Sequence, residues 1–373
     1  MKFDDIRPYR DEEIPSAMQR IVNSEFFPSI ASYVFPMLST EQARERLLSF
    51  KTIYDFQSDA MSKVNEQIIA RSITEFTYSG LSYLNPTKQY LFVSNHRDIM
   101  LDSSLLQYLL HQNGFPTTEI TFGANLMSAD LLIDIGKSNK MFRTERGGNA
   151  REFYEHSLYL SEYIRYAITE KKESVWIAQR NGRTKDGHDA TDQGIIKMFY
   201  MSKPSDKIEA LSELNIVPVA ISYEWESCDI LKTLEIYRSR GTRYVKKPGE
   251  DLNSILTGIM QPKGRVHIEL CKPIDRSELE SFADCVGSKF NKKVADLLDS
   301  RIYNSYLLTP NNYIAHDLRS GKDTYRCHYE NSEKQAFLSH LSRLDEYVDC
   351  DIFELKEILL GIYANPIDNK LLP

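Results

Sequence analysis

The chain has 373 residues, a formal net charge of −7, and an ordinary share of apolar and charged residues. This length allows one large domain or two smaller ones with a sizeable core. The acidic balance argues against broad nucleic-acid binding, because such proteins carry a basic footprint. Five dispersed cysteines without a CxxC pair predict reduced thiols, and neither a disulfide framework nor a zinc site.

The N-terminal stretch MKFDDIRPYRDEE is charged and lacks the apolar centre of a signal peptide. The sequence contains no run of about 18 apolar residues, which a membrane-spanning helix needs. We therefore expect a cytoplasmic protein, in which any membrane contact is peripheral and on the cytoplasmic face.

Residues 1–72 are predicted to form a helical N-terminal domain. Pro15 lies where the first turn of a helix accepts a proline. Ser39 and Gln42 have the spacing of a capping box. Apolar residues recur on one helical face between positions 54 and 73.

Residues 73–275 are predicted to form an α/β core, because seven short β-like runs alternate with helical ones. The helical stretches cover residues 103–111, 129–135, 150–169 and 193–201. Such alternation is typical of a mixed, largely parallel sheet flanked by helices, in which sites collect at the carboxyl ends of strands. The seven runs are EFTYSGL, QYLFVSN, EITFGA, NKMFRTE, SVWIAQR, NIVPVAISYEW and RVHIELC.

Residues 276–373 are predicted to form a helical C-terminal cap on this core. Two four-residue patterns that resemble capping boxes start at Ser332 and Asp351. The second precedes Leu355, Leu359 and Ile362, which share one face of a helix.

The stretch SNHRDIMLD, residues 94–102, follows an apolar run and raises three alternatives. It could be a kinase-like HRD loop, a histidine base with an aspartate partner, or a polar turn without chemistry. The kinase alternative fails because Ser103 stands where such a loop needs an asparagine. The sequence also lacks a glycine-rich phosphate loop and a DFG triplet in the required order.

His96 is a candidate general base, because a neutral imidazole is suited to taking a proton near neutral pH. A carboxylate bonded to its other ring nitrogen would fix the tautomer. Asp98 would need a tight turn to reach that nitrogen, whereas Asp102 could fold back over the start of the next helix. On this stretch alone, a turn in which an aspartate merely caps a helix stays an open alternative.

Three further strand ends carry candidate binding residues. Arg143 and Arg146 follow one apolar run, and arginines in such a place can hold a phosphate. Gly182 and Arg183 follow another run, where glycine lets the backbone approach a ligand. Pro218 lies within a third run and suggests a strand start or a bulge. Taken singly, these features also fit solvated basic turns and a core strand.

In this order, the four blocks resemble the glycerolipid acyltransferase superfamily, which includes the glycerol-3-phosphate and lysophosphatidate acyltransferases. Members carry a His-x4-Asp block after a strand and a block ending in arginine. A Glu-Gly-x-Arg-like block and a Val-Pro-containing strand follow. The resemblance covers residues 74 to 230, and the ordered set is more specific than any single block.

The resemblance implies direct acyl transfer to a hydroxyl of glycerol-3-phosphate or lysophosphatidate. The donor would be acyl-coenzyme A or an acylated acyl carrier protein, and neither a metal nor another cofactor is implied. His96 would be the general base, oriented by Asp102 or, as a second choice, by Asp98. The implied phosphate- and acceptor-binding residues are Arg143, Arg146, Asn181, Gly182 and Arg183. The implied acyl pocket lies near Val217 and Pro218.

Two departures from the family pattern keep other functions open. Five residues separate His96 from Asp102, so Leu101 occupies the usual aspartate position, and Asn181 stands where a glutamate is usual. One alternative is therefore a non-catalytic lipid- or acyl-carrier-binding relative. Another is an acyltransferase for a non-glycerol lipid.

Two other stretches are candidates for surface contacts. Residues 25–38 would touch a bilayer or an acyl chain, unless they pack the helical domain onto the core. The apolar residues concerned are Phe26, Phe27, Tyr33, Phe35 and Leu38. Residues 238–249 would meet the phosphates of coenzyme A or an acidic acyl carrier protein, unless they form a solvated loop. Their cations are Arg238, Arg240, Arg243, Lys246 and Lys247.

Overall fold

The protein is built around one seven-stranded sheet, seen in a computed structural model that describes residues 2–126, 129–145, 147–240, 244, 247 and 249–371. The strand order is β1-β7-β6-β2-β5-β3-β4. The strands are β1 (Ile73–Ser79), β2 (Leu91–Ser94), β3 (Glu119–Gly123), β4 (Met141–Thr144), β5 (Val175–Ala178), β6 (Ile216–Tyr223) and β7 (Gly264–Leu270).

The helices precede, connect and follow these strands. In the N-terminal part they are α1 (Ile14–Val22), α2 (Phe27–Val34), α3 (Thr40–Leu48), α4 (Ile53–Asp55) and α5 (Ser62–Ser72). Between the strands lie α6 (Leu101–Gln112), α7 (Asp130–Ser138), α8 (Ala150–Tyr166), α9 (Gln193–Tyr200), α10 (Lys207–Ser212), α11 (Asp229–Arg238) and α12 (Glu250–Met260). After the last strand come α13 (Arg276–Glu280), α14 (Ser288–Asn304), α15 (Pro310–Ser320), α16 (Asn331–Leu341) and α17 (Ile352–Lys370).

Seven short helical segments complete the description. Two are π-helical, Phe56–Met61 and Ala167–Lys171. Five are 3₁₀-helical: Asp11–Glu13, Leu81–Tyr83, Ala124–Leu126, Arg326–His328 and Ser342–Glu346.

The predicted fold class is confirmed by the strand pairing. Only β6 and β7 pair antiparallel, and every other pair of neighbouring strands is parallel. All residues of β2 and β5 are buried, as expected for parallel strands covered on both faces. Each of the seven β-like runs overlaps a strand, whereas α10, α11 and α12 were not predicted.

Helices cover both faces of the sheet, because alternate strand residues point to opposite sides. Leu91 and Val93 of β2 belong to a core shared with α8, α9 and α14. Phe92 of β2 belongs to a second core, shared with α5 and α6. The result is a three-layer arrangement of helices, sheet and helices.

The C-terminal region is divided between two cores. Phe290, Val294 and Leu298 of α14 pack in the same core as residues of the sheet. Helices α15, α16 and α17 form their own core with α11. The first of the two C-terminal boxes was misplaced, because α16 is capped by Glu330 with Glu333. At α17 the carboxylate of Asp351 accepts a hydrogen bond from a backbone amide in the first turn of the helix, as predicted.

The N-terminal helices α1 to α3 share a core with the π-helical segment Phe56–Met61. Two residues predicted to touch a bilayer, Phe27 and Phe35, lie in that core and are 0% and 3% exposed. Phe27 and Phe35 therefore pack inside the protein, whereas Phe26 is 58% exposed. No helix in the described ranges is both long and apolar enough to cross a membrane.

Pro218 is the third residue of the central strand β6, whereas the sequence suggested a strand start or a bulge. Its carbonyl oxygen accepts a hydrogen bond from the Cys271 amide at 2.9 Å, just beyond the end of β7. The ladder between β6 and β7 begins only at the pair Val219–Leu270. Pro218 has no N–H to donate, but its nitrogen faces the end of the neighbouring strand. The proline therefore removes little of the hydrogen bonding between the two strands.

Phe27 and Phe26 provide a test of the N-terminal core. We expect Phe27→Ala to lower the free energy of unfolding by about 3–5 kcal/mol, because it empties a fully buried site. Phe26→Ala should change that free energy by less than about 0.5 kcal/mol. Urea unfolding of both variants would measure the difference, and equal losses would contradict this packing.

Candidate active site

The candidate site lies at the carboxyl edge of the sheet, where the loops after β2, β5 and β6 meet. The amide of Gln179 donates to Ser94 at 2.8 Å, and that of Thr184 donates to the carbonyl of His96 at 2.7 Å. The Asn95 side chain exchanges hydrogen bonds with both backbone groups of Ile221, at 2.8 and 2.9 Å. The His96 loop is thereby joined to both neighbouring loops.

His96 and Asp102 form a buried pair. The Nδ1 atom of His96 lies 2.9 Å from Oδ2 of Asp102, and Asp102 is fully buried. This bond places the proton of a neutral imidazole on Nδ1, because an ionised carboxylate only accepts. The other ring nitrogen, Nε2, makes no hydrogen bond with the described residues, and His96 lines an open cleft. The geometry suits proton transfer at Nε2.

Asp98 explains how the longer spacing between His96 and Asp102 is accommodated. Its Oδ1 atom accepts the amides of Met100 and Leu101, both at 2.8 Å, so it caps the start of α6. The loop folds into a turn there and returns Asp102, the second residue of α6, to the imidazole. Asp98 therefore has the capping position, and Asp102 has the position beside His96.

Three donors besides His96 hold the Asp102 carboxylate. Oδ2 accepts the amides of Arg97 and Asp98 at 2.6 and 2.9 Å, and Oδ1 accepts the hydroxyl of Tyr223 at 2.8 Å. Burial first, and then the nearby Asp102 and Asp98 carboxylates, raise the pKa of Tyr223 well above its usual value. The hydroxyl therefore stays protonated and keeps donating to Asp102.

Arg97 lies at the centre of a buried ionic cluster behind the histidine. Its guanidinium contacts Asp189 after β5 at 2.6 Å and Glu226 after β6 at 3.2 Å. The ammonium of Lys232 donates to the Arg97 carbonyl at 2.7 Å and to Glu226 at 2.5 Å. The Tyr306 hydroxyl donates to Asp189 at 2.5 Å. We call these five residues the Arg97 cluster.

The charges of the Arg97 cluster balance, with two cations against two carboxylates. Burial opposes the charge of Arg97, but Asp189 and Glu226 raise its pKa well above the usual value. Burial likewise opposes the ionisation of Asp189, yet Arg97 holds the pKa of that carboxyl below its usual range. Buried, paired ionic groups therefore connect the loops after β2, β5 and β6.

The cleft beside His96 has a volume of about 70 Å³ and contains a buried cation. Arg183 is only 9% exposed, and its Nη1 atom has no hydrogen-bond partner in the described part of the chain. Gly182 also lines the cleft and has a φ of 78°, a conformation that favours glycine. The Trp176 ring stands edge-on to His96, with 5.8 Å between centroids. The cleft therefore offers a base and an anion-binding group together.

The structure separates the five residues predicted to bind phosphate. Gly182 and Arg183 line the His96 cleft, whereas Arg143 and Asn181 line a larger cavity of about 180 Å³ on the other face of the sheet. Arg143 is half-exposed and pairs with Glu145 at 2.6 Å. Arg146 lies outside the described residues. Asn181 is exposed, so its departure from the family pattern falls outside the His96 cleft.

The two residues predicted to lie near an acyl pocket are interior residues of a strand. Val217 and Pro218 are buried in β6, and neither lines the His96 cleft or the larger cavity. In the basic stretch, Arg240 pairs with Glu354, whereas Arg243 and Lys246 fall outside the described residues. Within the described ranges, no group of three or more histidine, cysteine, aspartate or glutamate side chains could hold a metal ion.

Replacing Arg97 would test the ionic cluster. We expect Arg97→Met to lower the free energy of unfolding by about 3–5 kcal/mol, because it leaves the buried Asp189 carboxylate without its cation and leaves Lys232 as the cation for Glu226. Arg151→Met is a matched control, since Arg151 pairs with Glu155 on the surface and its side chain is 86% exposed. Urea unfolding would compare them, and equal midpoints would show that the buried cluster does not stabilise the fold.

Comparisons with known proteins include a likeness to a solved structure. No protein-family model matches the chain, and no curated protein matches its sequence. The chain is similar to the crystal structure of the 1-acyl-sn-glycerophosphate (LPA) acyltransferase PlsC from Thermotoga maritima, at 14% identity and a TM-score of 0.34. The match covers 76% of this chain and 91% of that one. A likeness at this level does not by itself establish a family or an activity.

Proposed function

We propose that the protein transfers an acyl group from an acyl thioester to a hydroxyl of a glycerol-phosphate-type acceptor, such as glycerol-3-phosphate or lysophosphatidate. The observation that carries the proposal is the His96–Asp102 pair, whose free Nε2 shares a cleft with the buried Arg183. A base and a phosphate-binding cation side by side suit an acceptor that carries both a hydroxyl and a phosphate.

In the proposed reaction, Nε2 of His96 takes the proton of the acceptor hydroxyl while the oxygen attacks the thioester carbonyl. A carbon–oxygen bond forms, the carbon–sulfur bond breaks, and the thiol leaves with the proton. Asp102 holds the imidazole in the tautomer that leaves Nε2 unprotonated and stabilises the imidazolium that forms. The donor, acyl-coenzyme A or an acylated carrier protein, is the only co-substrate in this scheme.

The acceptor phosphate is placed on Arg183 in this proposal. The Nη1 atom of Arg183 is buried without a partner, and an unmade hydrogen bond at a buried charged group is costly. A phosphate oxygen in the cleft would remove that cost. Arg143 lines the other cavity and its side chain is half-exposed, so Arg183 is the proposed phosphate ligand.

The histidine and the two aspartates should differ in their effect on activity. We expect His96→Ala to reduce acceptor-dependent thiol release by about 10²-fold or more. Asp102→Asn should be nearly as damaging, because it removes the carboxylate that fixes the tautomer. Asp98→Asn should cost about tenfold or less, because asparagine caps a helix as well as aspartate does.

Thiol release from acyl-coenzyme A would be measured with glycerol-3-phosphate and with lysophosphatidate as acceptors. Loss of activity in Asp98→Asn but not in Asp102→Asn would contradict the assigned partner. If wild type released no thiol with any acceptor or with acyl carrier protein donors, a non-catalytic binding function would replace this proposal.

Replacing Arg183 should act on the acceptor and not on the donor. We expect Arg183→Gln to weaken acceptor binding by about 2 kcal/mol, or about 30-fold in acceptor KM. Lys185→Gln in the same loop is the control, because Lys185 pairs with Glu235 and lines neither cavity. If wild type, Arg183→Gln and Lys185→Gln had equal acceptor KM values, Arg183 would not bind the acceptor.

A further inference from the structure

The geometry points to a positioning role for the C-terminal helix α17 in acceptor binding. The loop that carries Gly182 and Arg183 runs from residue 180 to residue 188, and we call it the Arg183 loop. Two asparagines of α17, Asn365 and Asn369, contact this loop from outside the His96 cleft. The inference rests on the proposed function, because it takes Arg183 as the group that binds the acceptor.

The Arg183 loop depends on contacts outside itself for its conformation. It belongs to residues 179–192, which the structure describes throughout and which contain no helix or strand. Buried backbone groups of such a segment need partners elsewhere in the molecule. At the cleft, the Thr184 amide donates to the carbonyl of His96 at 2.7 Å. The other end of the loop, at Asp186 and Gly187, lies against α17.

The two asparagines of α17 bind three successive residues of the loop. The Nδ2 atom of Asn365 donates to the Asp186 carbonyl at 2.7 Å, and that of Asn369 donates to the Gly187 carbonyl at 3.1 Å. The Oδ1 atom of Asn369 also lies 2.9 Å from Nδ1 of His188. Because the two asparagines are four residues apart, they share one face of the helix. That face therefore fixes the far end of the Arg183 loop.

Pro366 explains how the loop approaches the helix so closely. It lies within α17 and has no N–H, so the carbonyl of Ile362, four residues earlier, lacks its helical hydrogen bond. Gly187 lies against this carbonyl, and a Cβ atom added to Gly187 would be 2.4 Å from the Ile362 oxygen. Gly187 also has a φ of 83°, which favours glycine. The glycine of the loop therefore fits the carbonyl that the proline leaves free.

Further hydrogen bonds orient α17 toward the site. The Nη1 atom of Arg319 donates to Oδ1 of Asn365 at 2.8 Å, so the amide group of Asn365 turns its NH₂ toward the loop. The Tyr363 hydroxyl accepts the amide of Glu226 at 3.0 Å and donates to Asp229 at 2.7 Å. Because Glu226 follows β6 and belongs to the Arg97 cluster, α17 connects the Arg183 loop to a second loop of the site.

The contacts with α17 bear on Arg183 because they limit where its backbone lies. Arg183 directly precedes Thr184 and is three residues before Asp186. Its buried Nη1 atom has no hydrogen-bond partner in the part of the chain that the structure describes, so that atom does not fix the side chain. If the α17 contacts are lost, fewer molecules place Arg183 in the cleft, and the affinity for an anionic acceptor falls in proportion.

Calorimetric titration with glycerol-3-phosphate would test the inference without depending on catalysis. The double variant Asn365→Ala/Asn369→Ala should raise the dissociation constant about tenfold, because two hydrogen bonds to the loop are lost. Hydrogen exchange at the amides of residues 180–188 should also become faster in this variant. If the double variant does not fold, each single alanine variant should raise the dissociation constant about threefold.

Asn311→Ala is the matched control. Asn311 is 3% exposed and donates to the carbonyl of Glu224 at 2.7 Å, so its replacement removes a similar buried hydrogen bond away from the Arg183 loop. Urea unfolding should show comparable losses of stability in Asn311→Ala and Asn365→Ala. The dissociation constant for glycerol-3-phosphate should rise only in the second of these variants.

The outcomes separate this inference from the proposed function. A dissociation constant that the α17 variants leave unchanged, or that rises equally in Asn311→Ala, would overturn the inference, as would a wild type that does not bind glycerol-3-phosphate. Weaker binding in the α17 variants alone would support it. The same binding pattern in a protein that releases no thiol from acyl-coenzyme A would keep the positioning role of α17 and reject the transferase.

Discussion

The ion pair between Arg97 and Asp189 is the interaction on which the candidate site depends. It fixes the residue directly after His96 to the loop after β5, and Glu226 extends the connection to the loop after β6. Because all three groups are buried and paired, displacing one loop would leave a charge without a partner in the interior. The imidazole, its aspartate and the cleft are therefore held in one arrangement, as a general base requires.

The topology of the sheet explains why two cavities lie at one edge. The connections from β3 and β5 leave toward opposite faces, so the strand ends separate between His96 on one side and the larger cavity on the other. A polar cleft with a base and a cation suits the reacting groups of the proposed transfer.

Local patterns predicted the strands, because short apolar runs bounded by polar residues form buried strands wherever they pack. They did not predict the partners of Arg97, since Asp189 and Glu226 lie 92 and 129 residues farther along the chain. The choice between Asp98 and Asp102 also depended on a turn that spacing does not reveal. For Val217, strand periodicity shows that the residue is buried but not which face of the sheet would hold a ligand.

The pH dependence of kcat/KM for acceptor-dependent thiol release tests the central claim, that neutral His96 accepts the acceptor's proton. Protonation of Nε2 removes the base, so the account predicts a fall of about tenfold for each pH unit on the acid side of a single titration. Asp102→Asn should change both the height and the midpoint of that profile. A rate that does not vary between about pH 5 and 8 would contradict a histidine base.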